Sequence, residues 1–125
     1  MVAARCVLVL SLLVVFPPLL SSDASAQVPY AAEQAEAGEA IYQESCSVCH
    51  LPNLQGSFEA PQLAGSNFRL NWGGRPMADL WDVLGTMPPQ APSPLTDEEY
   101  SALAAYLLRE NGSAAGTSVL ELTSS

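Results

Sequence analysis

The sequence predicts a small all-α domain, and three observations carry that expectation. Three segments pair helix-favouring composition or helical periodicity with a start or stop signal. No stretch alternates apolar and polar residues long enough to form a strand, and no internal repeat is present. A single Cys46-Ser47-Val48-Cys49-His50 run falls at the end of the first helical segment.

The N-terminus reads as an export leader. Arg5 supplies a positive start, Val7 to Val15 form an apolar run broken by Pro17-Pro18, and Ala24-Ser25-Ala26 fits the small-residue cleavage rule before Gln27. The run is too short and too interrupted for a comfortable membrane span, and an uncleaved anchor is the alternative. Cys6 precedes the apolar run, unlike a lipoprotein cysteine. The expected organisation is a signal peptide over 1–26, one domain over 27–112 and a C-terminal tail over 113–125. Removing 26 of the 125 residues leaves 99, enough for one core. No stable membrane insertion is expected after cleavage, and the destination is the periplasm.

The first helix is expected from about Ala31 to Ser45, a stretch rich in Ala, Glu and Gln. Gly38, Ile41 and Tyr42 lie on one face. Glycine in mid-helix costs about 1 kcal/mol against alanine. Close approach of a second helix would account for it.

The C-x-x-C-H run that follows is the attachment pattern of a c-type haem. Two thiols three residues apart face the same side of one helical turn. They can add to the two vinyl groups on one porphyrin edge, and His50 reaches the iron from the proximal side. Zinc is the first alternative, but a closed zinc site needs four ligands. The chain has one histidine and one further cysteine, Cys6, which lies in the leader. A thioredoxin-like redox pair would need a βαβ context that the sequence lacks.

From Leu51 to Gly74 the signals are turns: Pro52-Asn53, Gly56, Pro61, Gly65 and Gly73-Gly74. This predicts a long irregular centre, tolerable because loop residues can pack on the porphyrin. A short helix is expected from Met77 to Leu84, just after Pro76, with Leu80, Trp81 and Leu84 as its apolar face. The Gly85-Thr86-Met87-Pro88-Pro89 stretch cannot be helical, because proline fixes φ and removes amide donors. The last helix is the best marked. Thr96 and Glu99 form a capping box, Tyr100, Leu103, Ala104, Leu107 and Leu108 form an apolar stripe, and Asn111-Gly112 is the stop. The tail beyond Gly112 is expected to fray or to run extended over the surface.

With His50 as proximal ligand no histidine remains for the other axial position. Met77 sits where a helix begins, and methionine there is commonly core filler. Met87 sits in the constrained Pro-rich stretch and is the favoured ligand, with Met77 and an open or water-bound position as the alternatives. Histidine plus methionine closes both positions and suits electron transfer.

Charge bounds the partners. Of thirteen acidic residues only Asp23 lies in the leader, and of four arginines only Arg5, so the chain carries −9 with or without it. Three arginines and no lysine remain in the mature part. This disfavours nucleic acid and anionic lipid, and favours redox protein partners with a basic docking patch.

These residues resemble a small single-haem cytochrome c of the His/Met type. Gly38, Tyr42 and Cys46 have that family's spacing. Leu103-Ala104-Ala105-Tyr106-Leu107 is similar to its C-terminal helix, whose leucine and aromatic pack across the glycine. Ala60-Pro61-Gln62-Leu63-Ala64-Gly65 resembles its G-P-x-L-x-G element, with Ala60 where glycine is usual. The resemblance implies a cytochrome c fold of three to four helices around one covalently bound haem c, with long irregular loops. It also implies that Pro61 gives its carbonyl to His50. Asn71-Trp72-Gly73-Gly74-Arg75-Pro76, Asp79-Leu80, Met87-Pro88-Pro89 and Leu95-Thr96-Asp97 are similar to the cytochrome c subunits and domains that serve PQQ-dependent quinoprotein dehydrogenases. That likeness places Trp72 and Arg75 near the haem propionates. A core tryptophan and a surface arginine are the alternative.

The functional expectation is a periplasmic one-electron carrier, not an enzyme. It would accept electrons from a dehydrogenase and pass them to a terminal oxidase or another cytochrome. A haem-based gas sensor with a displaceable Met87 is the alternative.

Overall fold

A computed structural model describes residues 29–90 and 95–121. The expected leader, its cleavage site and Cys6 lie outside the described residues, as do 91–94 and 122–125. Among the described residues five helical segments occur in order: α1 (Ala32–Ser45), α2 (Ser47–His50), α3 (Ser66–Trp72), α4 (Met77–Leu84) and α5 (Asp97–Glu110). No strand occurs among the described residues, where the one β-type contact is an isolated bridge between Ala31 and Gly116.

Helix α1 and helix α5 make the dominant packing. Gly38 explains how closely they approach. A Cβ built on it would lie 1.9 Å from the Ala102 carbonyl oxygen and 2.9 Å from Tyr106 Cβ, so only hydrogen fits there. One turn on, the Tyr42 and Tyr106 rings pack tilted at 45° with centroids 5.2 Å apart. The expectation of a second helix crossing at Gly38 is met, and the partner atoms are the Ala102 backbone and the Tyr106 side chain. Helix α5 begins at the expected box: Thr96 Oγ1 accepts from the Glu99 amide, and the Thr96 amide donates to the Glu99 carboxylate. From Tyr100 to Leu107 every residue of α5 is buried.

Helix α3 corrects the expectation of an uninterrupted irregular centre. Ser66–Trp72 was hidden because it spans only two turns, lies between glycine turn signals and has a single apolar i, i+4 pair. Phe68 is buried and packs its ring 6.1 Å from Trp72, so tertiary burial stabilises a segment of modest propensity. Helix α2, one turn long, is likewise additional to the three helices read from the sequence.

Residues 113–121 run back over the start of α1. The Gly116 amide donates to the Tyr30 carbonyl, and the Tyr30 hydroxyl donates to the Ser113 carbonyl at 2.6 Å. Gln34 binds the Leu120 backbone with both ends of its amide, at 2.7 and 2.9 Å. Leu120 is thereby buried with Tyr30, Ala35, Ala104 and Ala105 in a small second core. Among the described residues no helix is long and apolar enough to cross a membrane.

Candidate haem site

The larger core leaves a cavity of about 810 Å³ on one side of the α1/α5 pair. Tyr42, Phe68, Leu80, Leu103 and Leu107 give it an apolar wall, and each belongs to the main hydrophobic cluster. Cys46, Cys49, His50, Pro61, Trp72, Arg75 and Met87 line the same space. Every site residue singled out in the sequence therefore comes to one cavity.

Local structure sets the Cys46–His50 segment. Helix α1 ends as Cys46 donates its amide to Tyr42, and α2 turns Cys49 and His50 back onto the Cys46 carbonyl at 3.2 and 3.0 Å. Leu51 then adopts a left-handed φ of 64°, an uncommon conformation for a leucine. Three neighbours hold it. The buried Tyr42 hydroxyl donates to the Leu51 carbonyl at 2.6 Å, Gln43 donates to the Pro52 carbonyl, and Gly56 donates to the His50 carbonyl at 2.9 Å. Burial, with Tyr106 and Cys46 as lesser causes, pushes the Tyr42 phenol well above its usual range, so it remains a donor. Burial, then the neighbouring Cys49, raises the Cys46 thiol, whereas Cys49 is exposed at the rim.

The imidazole is oriented by one hydrogen bond. His50 Nδ1 lies 2.8 Å from the Pro61 carbonyl oxygen. A carbonyl only accepts, so Nδ1 carries the proton and Nε2 keeps a free lone pair. A metal-bound histidine needs that arrangement. The Ala60 position, where glycine is usual, shows no left-handed φ, and the tight backbone approach falls on Gly56 instead. Gly56 has φ 72°, and a Cβ on it would lie 2.5 Å from the Ala60 oxygen.

The two methionines separate. Met77 packs, partly buried, against both hydrophobic clusters and is not among the cavity-lining residues. Met87 lines the cavity just beyond α4. Its amide donates to the Leu84 carbonyl at 3.1 Å, and the Thr86 amide and hydroxyl both donate to Val83, so its backbone is tied to the end of α4.

Arg75 is also held. Its guanidinium carbon sits 4.5 Å from the Trp72 ring centroid, and two of its nitrogens reach Asp79 Oδ2 at 2.9 and 3.1 Å. This places a fixed positive charge beside an aromatic face at the cavity wall.

The residues suit a porphyrin. The cavity combines a broad apolar wall, two thiols one helical turn apart, an imidazole with a free Nε2, a thioether and one arginine. Zinc fits poorly, because among the described residues no group of three or more His, Cys, Asp or Glu side chains converges as a metal site.

Sequence reading missed one contributor to this architecture. Asn111, read as a helix stop, binds the 63–65 loop with its side chain. Nothing local marks that role, since its loop partners lie 46 and 48 residues away.

A helical domain that folds around such a cavity, with paired cysteines and a carbonyl-oriented histidine on its wall, is a c-type cytochrome domain. Residues 33–107 match the family model described as cytochrome c oxidase, cbb3-type, subunit III, and the chain belongs to that family. No curated protein and no solved structure matches it. Membership implies covalently bound haem c, redox protein partners and an electron-transfer role rather than a catalytic one.

Proposed function

We propose that the chain is an exported, periplasmic mono-haem cytochrome c, in which Cys46 and Cys49 form the thioethers and His50 and Met87 are the axial ligands. The 2.8 Å contact between His50 Nδ1 and the Pro61 carbonyl carries the ligand assignment, because it aims the lone pair of Nε2 away from the loop. The bound haem supplies a one-electron ferric/ferrous couple, and histidine with methionine ligation favours the ferrous state.

The protein's own residues do the rest. Pro61 fixes the His50 tautomer and raises its basicity. The apolar wall would keep water from a bound haem, and Met87, anchored on α4, would supply the thioether that holds its iron opposite His50. Arg75, stacked on Trp72 and ion-paired with Asp79, would be the cation offered to a propionate. The exposed Cys49 and Val48 mark the edge through which electrons would pass.

The acidic surface supports docking to partners with a basic patch. On the acceptor side, a terminal oxidase is favoured by the family description, which names an oxidase subunit. On the donor side, a quinoprotein dehydrogenase rests on the Trp72–Pro89 likeness alone.

The optical spectrum of the purified holoprotein tests the ligation. Low-spin ferrous bands and a thioether-to-iron charge-transfer band in the ferric form are expected. A high-spin spectrum that shifts with carbon monoxide would overturn it in favour of gas binding.

A further inference from the structure

We propose that Asn111, at the end of α5, is a positioning residue for His50, acting through the loop that carries Pro61. The inference rests on the reading of His50 as the iron ligand.

The Asn111 side chain makes three hydrogen bonds, and only one of them caps its own helix. Nδ2 donates to the Leu107 carbonyl at 2.8 Å, as expected at a helix end. Nδ2 also donates to the Leu63 carbonyl at 2.9 Å, while Oδ1 accepts from the Gly65 amide at 3.0 Å. One amide group thus brackets Ala64, reading a carbonyl before it and an N–H after it as a neighbouring backbone would. Such a bracket needs a donor and an acceptor side by side, which a carboxylate or an aliphatic side chain lacks.

The bracketed backbone is two residues from Pro61. The Leu63 amide is already committed to the Leu54 carbonyl at 2.8 Å, so Asn111 completes the pairing of Leu63. Upstream, Ala60 gives its carbonyl to the Ser57 amide at 2.8 Å. Pro61 lies between these two fixed points, has no N–H of its own, and spends its carbonyl on His50 Nδ1. Helix α5 also supplies Leu103 and Leu107 to the cavity wall. Asn111 therefore ties the rigid wall to the loop that orients the proximal imidazole. Without the bracket the loop can drift outward while the wall stays in place, and the His50–Pro61 bond lengthens first.

The consequence is electronic as well as structural. A weaker bond from Nδ1–H to a carbonyl makes the imidazole a poorer donor to iron, which destabilises the ferric state. The midpoint potential of the holoprotein should rise, and the Nδ1 proton should exchange faster with solvent.

The test compares holoprotein carrying Asn111→Leu with holoprotein carrying Gly112→Ala. The second change loads a φ of 93° at the same helix end, where a Cβ meets nothing within 4 Å, and leaves the bracket intact. The readouts are the midpoint potential and the exchange rate of the hyperfine-shifted His50 Nδ1 proton by NMR. Asn111→Leu is expected to raise the potential and to speed exchange by about tenfold, the factor that one net hydrogen bond carries. Gly112→Ala should leave both unchanged even where it lowers the melting temperature as much. If Asn111→Leu does not accumulate, Asn111→Ala, which removes both arms of the bracket without adding charge or bulk, should shift both readouts in the same direction. Unchanged readouts in the Asn111 variants, or equal shifts in Gly112→Ala, overturn the positioning role. A parent protein with no hyperfine-shifted His50 ring proton overturns the ligand reading itself, and is told apart from the first failure by needing no variant.

Discussion

Replacing Gly38 by alanine sets two effects of opposite sign against each other. Helix propensity alone favours the change, since alanine in a helix interior is about 1 kcal/mol better than glycine. Packing opposes it. The new methyl carbon would stand 1.9 Å from the Ala102 carbonyl oxygen and 2.5 Å from its carbon. Both are backbone atoms in the buried stretch of α5 and cannot rotate away. Restoring ordinary van der Waals contact requires α1 and α5 to part by about 1.5 Å, which opens gaps on either side of the crossing. Overpacking of this kind costs about 1–3 kcal/mol, and a backbone obstacle puts it at or above the upper end. After the propensity gain, a net loss of about 2 kcal/mol is expected, or about 8–16 °C in melting temperature for a domain of this size. The damage should reach the site, because the Tyr42 ring packs on Tyr106 beside the crossing and its hydroxyl holds Leu51, the residue after His50. Thermal unfolding of holoprotein, followed by far-ultraviolet circular dichroism, measures the effect. A Gly38→Ala protein as stable as the parent, or more so, would refute the close-crossing argument and leave Gly38 as an ordinary tolerated glycine.

Other perturbations bear on the cofactor and the partners. Met87→Ala should open the sixth position, lower the potential, abolish the thioether charge-transfer band and admit carbon monoxide. Met77→Ala should keep the band and cost about 2 kcal/mol in packing, and the reverse outcome in absorption spectra would reassign the ligand. Replacing Cys46 and Cys49 together by alanine should leave little mature protein, because much of the core wall faces the haem space. A stable haem-free product with parental helicity, seen by circular dichroism, would contradict that account. Reduction of the oxidised protein by a partner with a basic face should slow steeply as ionic strength rises, since the Debye length falls to about 10 Å at 0.1 M. Stopped-flow rates that increase with salt would point instead to an acidic partner docking through apolar surface.

What was legible in the sequence was local. The Thr96–Glu99 box, the Pro76 start of α4 and the Asn111-Gly112 stop are signals within a few residues of the structure they specify, and each helix end falls where its signal lies. The Cys46–His50 spacing likewise contains its own chemistry, because one helical turn suffices to present two thiols and an imidazole. Even Gly38 was readable, since a costly glycine in a good helix calls for a close neighbour. The identity of that neighbour was not readable, nor was α3, whose two turns owe their stability to the burial of Phe68 rather than to propensity. The tertiary structure alone decided which distant groups meet. It drew Leu120 under Gln34 and placed the Asn111 amide on the loop beside Pro61. These pairings carry no local pattern, because a single hydrogen bond or ring contact contributes only about 1 kcal/mol. They exist because the packing of α1 on α5 has already brought the chain segments together.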